Sequence, residues 1–344
     1  MSSDCHMTLL RLSMARRNPP EDDFPFAWIM QIDHEGNAYE LKALPDELNT
    51  IDGTLWIHLK RADLRAMRWL REQSSVPASV KDILLSQEDE EPYLSGREDY
   101  ICGVLRDFTQ ELGGAGEDVS RICFYVTDSL IITARRQPVR ASIKARRAIE
   151  QSQAVIQRPL DIFQLLLEKI VDGFEVRIEQ LWSNLDRIED HVLDDHTHDD
   201  RHQLGQIRRS AATVHRLISS NHRAVLKMLK LPQLYMQTRE ILQHMAHHLE
   251  NVTHESSSIQ DRARLLHEEL NAQLADETNR QLYILTILGT LIMPPTLISG
   301  MFGMNLKGVP FADDENGFWM AFLTCLLSSA LTYAIVWISS RKNA

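Results

Sequence analysis

The sequence lacks a basic excess: 37 Lys and Arg stand against 48 Asp and Glu, a formal charge of −11 over 344 residues. Phosphate neutralisation needs a positive surface, so a nucleic-acid partner is excluded. Cysteine is scarce as well. Cys5, Cys102, Cys123 and Cys325 lie far apart, with no CxxC pair or Cys/His finger spacing, which excludes a disulfide framework and points to a reducing compartment. Nucleotide and hydrolase signatures are missing: no GxGxxG, GxxxxGK[ST], HExxH or GxSxG occurs, so no enzyme reading and no cofactor has a motif behind it. The opening MSSDCHMTLLRLSMARRNPP has no apolar h-region and no small-residue cleavage site, and no signal peptide is expected.

Two segments near the C-terminus lack charge altogether. QLYILTILGTLIMPPTLISGMF (281–302) and GFWMAFLTCLLSSALTYAIVWISS (317–340) contain no Asp, Glu, Lys, Arg or His. Each is long enough to cross a hydrocarbon core of ~30 Å as a helix. Tyr283, Trp319, Tyr333 and Trp337 fall toward their ends, where amphipathic rings favour the headgroup zone. Arg280 precedes the first span and Arg341 and Lys342 follow the second, whereas the loop between them sets Lys307 against Asp313, Asp314 and Glu315. The positive-inside rule then places both termini in the cytoplasm and the 303–316 loop outside, in a multi-pass membrane protein.

Ahead of the spans two compositions follow one another. Up to residue 157 the chain alternates β-rich runs (Ala27–Asp33, Thr54–Leu59, Ile101–Phe108, Arg121–Thr127, Leu130–Ala134) with helical stretches (Ala62–Glu72, Ala78–Ser86). CFYVTDSLIITA reads as a hairpin turning at Asp128–Ser129, and the whole as a mixed α/β domain. From residue 158 to 280 the pattern is helical. Pro159 suits a first helical turn, an acid- and histidine-rich turn follows Asp194, a second helix fades near Pro232, and a third runs from Leu234 with no proline or glycine until Gly289. Unbroken to Phe302, it would measure about 100 Å and form a stalk. The expected fold is an α+β membrane protein: a cytoplasmic α/β domain, a long helical stalk, the spans, and a cytoplasmic tail at 341–344.

The stalk carries two interleaved rows at heptad spacing, Leu242, Leu249, Ser256, Ala263, Leu270 and Met245, Val252, Ile259, Leu266, Gln273. Eight of these ten are apolar, a seam for packing on neighbouring helices. The opposite face is hydrophilic above the membrane, with His244, His247, His254, Asp261 and Glu268. It becomes small and weakly polar within it, through Asn279, Leu282, Thr286, Gly289, Met293 and Thr296. Such residues face another helix or a pore. Two spans cannot enclose a channel, so a pore requires a ring of copies with this helix on the axis. The histidines and acids of the stalk are candidate metal ligands if symmetry multiplies them, or a wet helix face. His191, His196, His198 and His202, with Asp194, Asp195, Asp199 and Asp200, read either as a regulatory metal site or as a solvated hairpin tip.

Between the spans stands Gly300-Met301-Phe302-Gly303-Met304-Asn305. With Asn279-Arg280 before the span, Pro294-Pro295 within it, and the long preceding helix, it resembles the Gly-Met-Asn signature of the CorA-type divalent metal-ion transporter superfamily. The continuation Lys307-Gly308-Val309-Pro310 is similar to that of the ZntB zinc-transport branch, although Met304 departs from it. The resemblance implies a homopentamer in the bacterial inner membrane, a cytoplasmic funnel, and a central pore lined by the first span. Gly303, Met304 and Asn305 become the selectivity loop, and Asp313, Asp314 and Glu315 an external acidic ring. The cargo it implies is Zn²⁺, with Mg²⁺, Co²⁺, Ni²⁺ and Cd²⁺ as alternatives, and uptake linked to protons. Physically, Asn305 offers a neutral carboxamide oxygen, and Gly303 permits a tight backbone turn that exposes carbonyls. The stripe has no His or Cys to bind bare Zn²⁺, so an ion passing here keeps its water. The non-transport alternative is a membrane-anchored coiled-coil signalling protein.

Overall fold

The computed structural model describes residues 10–11, 27–42, 48, 53–86, 91–109, 119–193, 197–304 and 316–343. The chain divides into two compact units, Met1–Leu265 and Leu266–Ala344.

Among the described residues the first unit is built on eight strands: β1 (Leu10–Arg11), β2 (Ala27–Ile32), β3 (Ala38–Leu41), β4 (Thr54–Lys60), β5 (Tyr93–Gly96), β6 (Ile101–Phe108), β7 (Val119–Val126) and β8 (Leu130–Arg135). They form one mixed sheet in the order β1-β3-β2-β4-β8-β7-β6-β5. β4 and β8 at its middle are parallel, with Leu55 beside Leu130 and Lys60 beside Arg135, and the other pairs are antiparallel. Both central strands are buried along almost their whole length, as strands covered on two faces must be. The expected hairpin is present: Val126 pairs with Ile131, and Thr127 N–H donates to the Leu130 carbonyl at 2.8 Å.

On one face lie α1 (Leu64–Glu72) and α2 (Ala78–Leu85), packed over a cluster that includes Ile57, Leu59, Leu70, Leu84, Cys123 and Ala134. The Asp63 carboxylate caps α1 by accepting from Arg65 N–H at 2.8 Å, satisfying one orphan donor of the first turn. The other face carries α3 (Arg140–Glu150) and the start of α4 (Pro159–Leu193), where Phe163 packs on Phe124 with ring centroids 4.8 Å apart. α5 (Thr197–Leu229) returns alongside α4, and α6 (Met236–Phe302) follows.

α6 runs parallel to α4, because its partners advance together: Gln237 meets Arg158, His248 approaches Glu175, and Arg262 bonds Glu189 at 2.6 Å. Against α5 it is antiparallel, with Arg239 on the Leu229 carbonyl near its start and Ser256 and Gln260 on that of Ala211 further along. The heptad seam is the buried side of this packing. Leu242, Met245, Leu249, Val252, Ser256, Ile259 and Ala263 are all buried, and the polar exception, Ser256, is satisfied by donating to the Ala211 carbonyl.

The second unit holds the rest of α6 and α7 (Gly317–Asn343). Leu266 and Leu270 of the seam are buried there too, and Gln273 is half-buried.

Candidate functional site

α6 and α7 both contain a stretch long and apolar enough to cross a membrane, and neither stretch is buried within the chain. A helix apolar on every side cannot be left in water, so lipid or further protein must cover these surfaces.

The two helices meet along one stripe each. Ile287, Leu291, Pro294, Pro295, Ile298 and Phe302 form the half-buried side of α6, and Ala321, Cys325, Ser328, Ser329, Thr332 and Val336 that of α7. Small α7 residues allow close approach where lipid supplies no hydrophobic driving force. Pro295 has no N–H, which frees the Leu291 carbonyl four residues earlier. Ser329 Oγ donates to that carbonyl at 3.5 Å, and the Cys325 thiol reaches the Pro295 carbonyl at 3.8 Å. The proline pair therefore stays inside the helix, with α7 supplying what the backbone lost.

The face of α6 turned away from α7 is the weakly polar row read from the sequence. Asn279, Leu282, Thr286, Gly289, Met293 and Thr296 are all exposed in the single chain. Thr286 donates its hydroxyl hydrogen to the Leu282 carbonyl at 2.7 Å and Thr296 to that of Ile292 at 2.8 Å. With those hydrogens used, both oxygens present only lone pairs outward, which suits a hydrated cation and not an anion. Gly289, Met293, Thr296, Gly300 and Met304 share one shallow groove on this face. A Cβ at Gly289 or Gly300 would meet nothing within 4 Å, so no contact inside one chain calls for glycine. Helical glycine is unfavourable by about 1 kcal/mol relative to alanine.

Gly303 ends the helix without a left-handed backbone. Its N–H donates to the Ser299 carbonyl at 2.9 Å and Met304 N–H to that of Met301 at 3.3 Å. A Cβ there would press on the Ser299 carbonyl at 3.3 Å, so glycine is favoured by crowding at the last turn rather than by a positive φ. Asn305, Asp313, Asp314 and Glu315 lie outside the described residues.

His244, His247, His254, Asp261 and Glu268 are exposed on α6. Seven-residue steps separate the last four by about 10 Å each, and among the described residues no three His, Cys, Asp or Glu side chains gather as a metal site. One chain does not assemble these residues around an ion. Of the hairpin-tip residues, His202 is exposed beside Gln206, and the side chains of residues 191–200 lie outside the described set.

The sequence pattern of one family spans nearly all of this architecture, matching residues 52–342. The chain belongs to the CorA-like Mg2+ transporter protein family. It is 24% identical over 308 residues to the divalent cation transporter CmaX of Pseudomonas aeruginosa, covering 88% of this chain and 89% of that one. It is 25% identical over 290 residues to the zinc transport protein ZntB of Pectobacterium carotovorum, covering 84% and 87%. Among solved structures, full-length CmaX superposes with a TM-score of 0.77 at 21% identity over 94% of this chain and all of that one. The CorA magnesium transporter of Methanocaldococcus jannaschii gives 0.75 at 17% identity over 90% and 96%. The fold is thus the CorA fold, an α/β domain followed by a long helix and C-terminal apolar helices. The chain is a divalent-cation transporter of the CorA and ZntB type, and the anchored-signalling alternative gains no support.

Proposed function

We propose that this CorA-family chain carries a hydrated divalent cation, Zn²⁺ ahead of Mg²⁺, across the bacterial inner membrane through the axis of a homopentamer. The observation that carries the reading is the α6 face opposite α7. It is exposed in one chain, free of charge, punctuated by glycines that no contact in that chain needs, and lined with threonine oxygens whose hydrogens are already used. A ring of copies gives that face a purpose: Asn279, Leu282, Thr286, Gly289, Met293 and Thr296 line the ion path. Gly303, Met304 and Asn305 form the selectivity loop at its outer end, and Asp313, Asp314 and Glu315 a ring that gathers cations.

In this reading both termini are cytoplasmic, residues 1–157 are the α/β domain, 158–280 the funnel, 281–302 and 317–340 the spans, and 341–344 the tail. His244, His247, His254, Asp261 and Glu268 line the cytoplasmic approach, where symmetry supplies the ligands that one chain does not gather. Because the stripe offers neutral oxygens and no His or Cys, the ion keeps most of its water and discrimination among Zn²⁺, Mg²⁺, Co²⁺, Ni²⁺ and Cd²⁺ is weak.

The lean to zinc rests on Lys307-Gly308-Val309-Pro310 and on relatives named for zinc transport. The complete Gly-Met-Asn and the family's own description favour Mg²⁺ as the second reading. Flux into proteoliposomes with Zn²⁺ and Mg²⁺ side by side decides between them. Asn305→Ala should abolish most of the flux of either ion, and unchanged flux in that variant would overturn the assignment of the loop.

A further inference from the structure

A row of arginines crosses the sheet in the first unit. Arg61 N–H donates to the Arg135 carbonyl at 2.8 Å, which carries the parallel β4/β8 ladder one step past Lys60 and Arg135 and sets Arg61 beside Arg136. The antiparallel β7/β8 ladder ends on Ile122 and Arg135, so the next step sets Arg121 across from Arg136. Arg121 itself pairs with Arg106 of β6. Adjacent strands lie about 4.8 Å apart. By alternation with Leu59, Ala134 and Cys123, all of the α1/α2 cluster, Arg61, Arg136 and Arg121 leave the sheet on that face.

Like charges set directly opposite one another repel, and nothing described in the chain offsets these three. Arg121 is only 7% exposed, its Nη2 donates to the Ser86 carbonyl at 2.8 Å, and its buried Nη1 has no partner. The Arg61 guanidinium donates to Cys123 Sγ at 3.7 Å, a weak acceptor. Among the described residues no carboxylate forms an ion pair with Arg61, Arg121 or Arg136. Burial lowers the Arg61 pKa, and the guanidinium groups of Arg121 and Arg136 lower it further. Beside Arg61 and Arg136 a cavity of about 220 Å³ opens, lined by these two and by Ala62, Met67 and Leu85.

We propose that this pocket binds the phosphate group of a small ligand, held by Arg61 and Arg136, with the buried Arg121 adding its positive charge from the next position in the row. The planar guanidinium fork matches phosphate oxygens bidentately, and a dianion balances the row better than a carboxylate's single charge. The cavity admits a phosphate and a small substituent, with any larger body left in solvent. The site lies within the α/β part of the chain and is independent of which ion is transported.

The test uses the full-length chain in detergent and chelator-washed buffer, titrated with inorganic phosphate, with ATP, and with NaCl at matched ionic strength. Melting temperature and calorimetric heat are the readouts. Phosphate should raise the melting temperature saturably, by mass action on the folded state, where NaCl does not. Arg136→Gln, at an exposed strand end, and Arg61→Gln should each weaken phosphate binding by about tenfold. Both variants should also melt above wild type when no phosphate is present, because repulsion along the row is relieved. Tighter saturation by ATP than by phosphate would support the site with a nucleotide-borne ligand, and equal saturation would support free phosphate. Shifts from phosphate and ATP no larger than those from NaCl would overturn the proposal, as would wild-type phosphate affinity in both variants.

Discussion

Asn221 of α5 pairs with both backbone groups of Arg106 on β6: its carboxamide oxygen accepts from the Arg106 N–H at 3.0 Å and its amide donates to the Arg106 carbonyl at 2.8 Å. β5 pairs only with the first half of β6, up to Val104, so a side chain completes the ladder where the neighbouring strand has ended. That contact joins the helical half of the first unit to its sheet. Asn221 is 1% exposed, and leaving two buried backbone groups unpaired costs about 1–3 kcal/mol each. Asn221→Ala should therefore destabilise the first unit by about 2–4 kcal/mol, read as a lower melting temperature and faster hydrogen exchange at the Arg106 amide. Unchanged exchange there would remove the ladder role.

Two buried titratable groups pull the pH dependence of stability in opposite directions. His58 is stacked on Trp28, its Nε2 accepts from Arg135 Nε at 2.8 Å, and its Nδ1–H therefore donates to Thr133 Oγ1 at 2.7 Å. Burial first, then the charges of Arg135 and Arg146, holds its pKa well below the usual histidine value. Its contribution is complete above the unfolded pKa of about 6.5 and is lost as pH falls toward the folded one. Asp107 is the reverse case. Its Oδ2 accepts from Ala141 N–H at 2.8 Å, its Oδ1 is buried without a partner, and burial pushes its pKa up to about 7. It favours folding most below pH ~4, and that contribution is lost as pH rises through 7.

Melting curves at pH 5 and pH 8 should separate the two. Asp107→Asn should be stabilising at pH 8, by about 1–3 kcal/mol, and progressively less so toward pH 5 and below. His58→Gln should be destabilising at pH 8 by about 1–3 kcal/mol through its broken network, yet lose less stability than wild type on acidification. A pH-independent effect of both substitutions would show that neither group titrates as argued.

Much of this fold is legible in the sequence because its signals are local. The central strands are unbroken apolar runs, Pro159 and Asp63 mark helix starts, and the seam keeps its period because α6 packs along α4 and α5 for many turns. What escaped detection lacks such signals. β3 and β5 are four-residue strands toward the two edges of the sheet, and α3 reads RASIKARRAIE, where three alanines and a serine dilute the two isoleucines of the buried side. The Arg61, Arg121 and Arg136 row is invisible along the chain, since only strand order and register bring residues so far apart into line. Asn221 is equally silent, because no local pattern distinguishes a helix asparagine that serves as a strand.

The hydrophilic row of α6 makes a further prediction. His247, His254, Asp261 and Glu268 are exposed in one chain, whereas Leu249 and Leu266 are 2% and 6% exposed. If the exposed row faces the axis of a ring, single cysteines there should crosslink between subunits at high yield and be protected by a pore-plugging cation. Cysteines at Leu249 and Leu266 should resist labelling. The reverse pattern would mean that the helix is rotated by half a turn in the assembly.

If the 303–316 loop lies outside, as proposed, it should act through its field. Between residues 303 and 316, Lys307 against Asp313, Asp314 and Glu315 gives 1 − 3 = −2 per chain, which the proposed ring of copies would repeat around its mouth. Such a field concentrates cations and is screened beyond about 8–10 Å at physiological salt. Neutralising the three acids together should slow uptake severalfold at low ionic strength and little at high. Equal slowing at both would indicate a direct ligand role instead.

Proton coupling is where the residue inventory and the zinc-branch resemblance part. A proton crossing the bilayer within a protein needs a titratable site in transit, and neither span contains Asp, Glu or His. Asp261 and Glu268 on the same α6 face lie at least two turns before the first span. Any proton dependence of zinc flux should therefore come from groups on either side of the membrane, with no carboxylate relay across it. In liposomes with an imposed pH gradient and clamped voltage, Asp261→Asn with Glu268→Gln, or neutralisation of Asp313, Asp314 and Glu315, should remove most of the pH-driven component. If strong pH-driven flux survives both sets of changes, coupling must run through water or the hydrated ion itself, and the carboxylates on the two faces play no part in it.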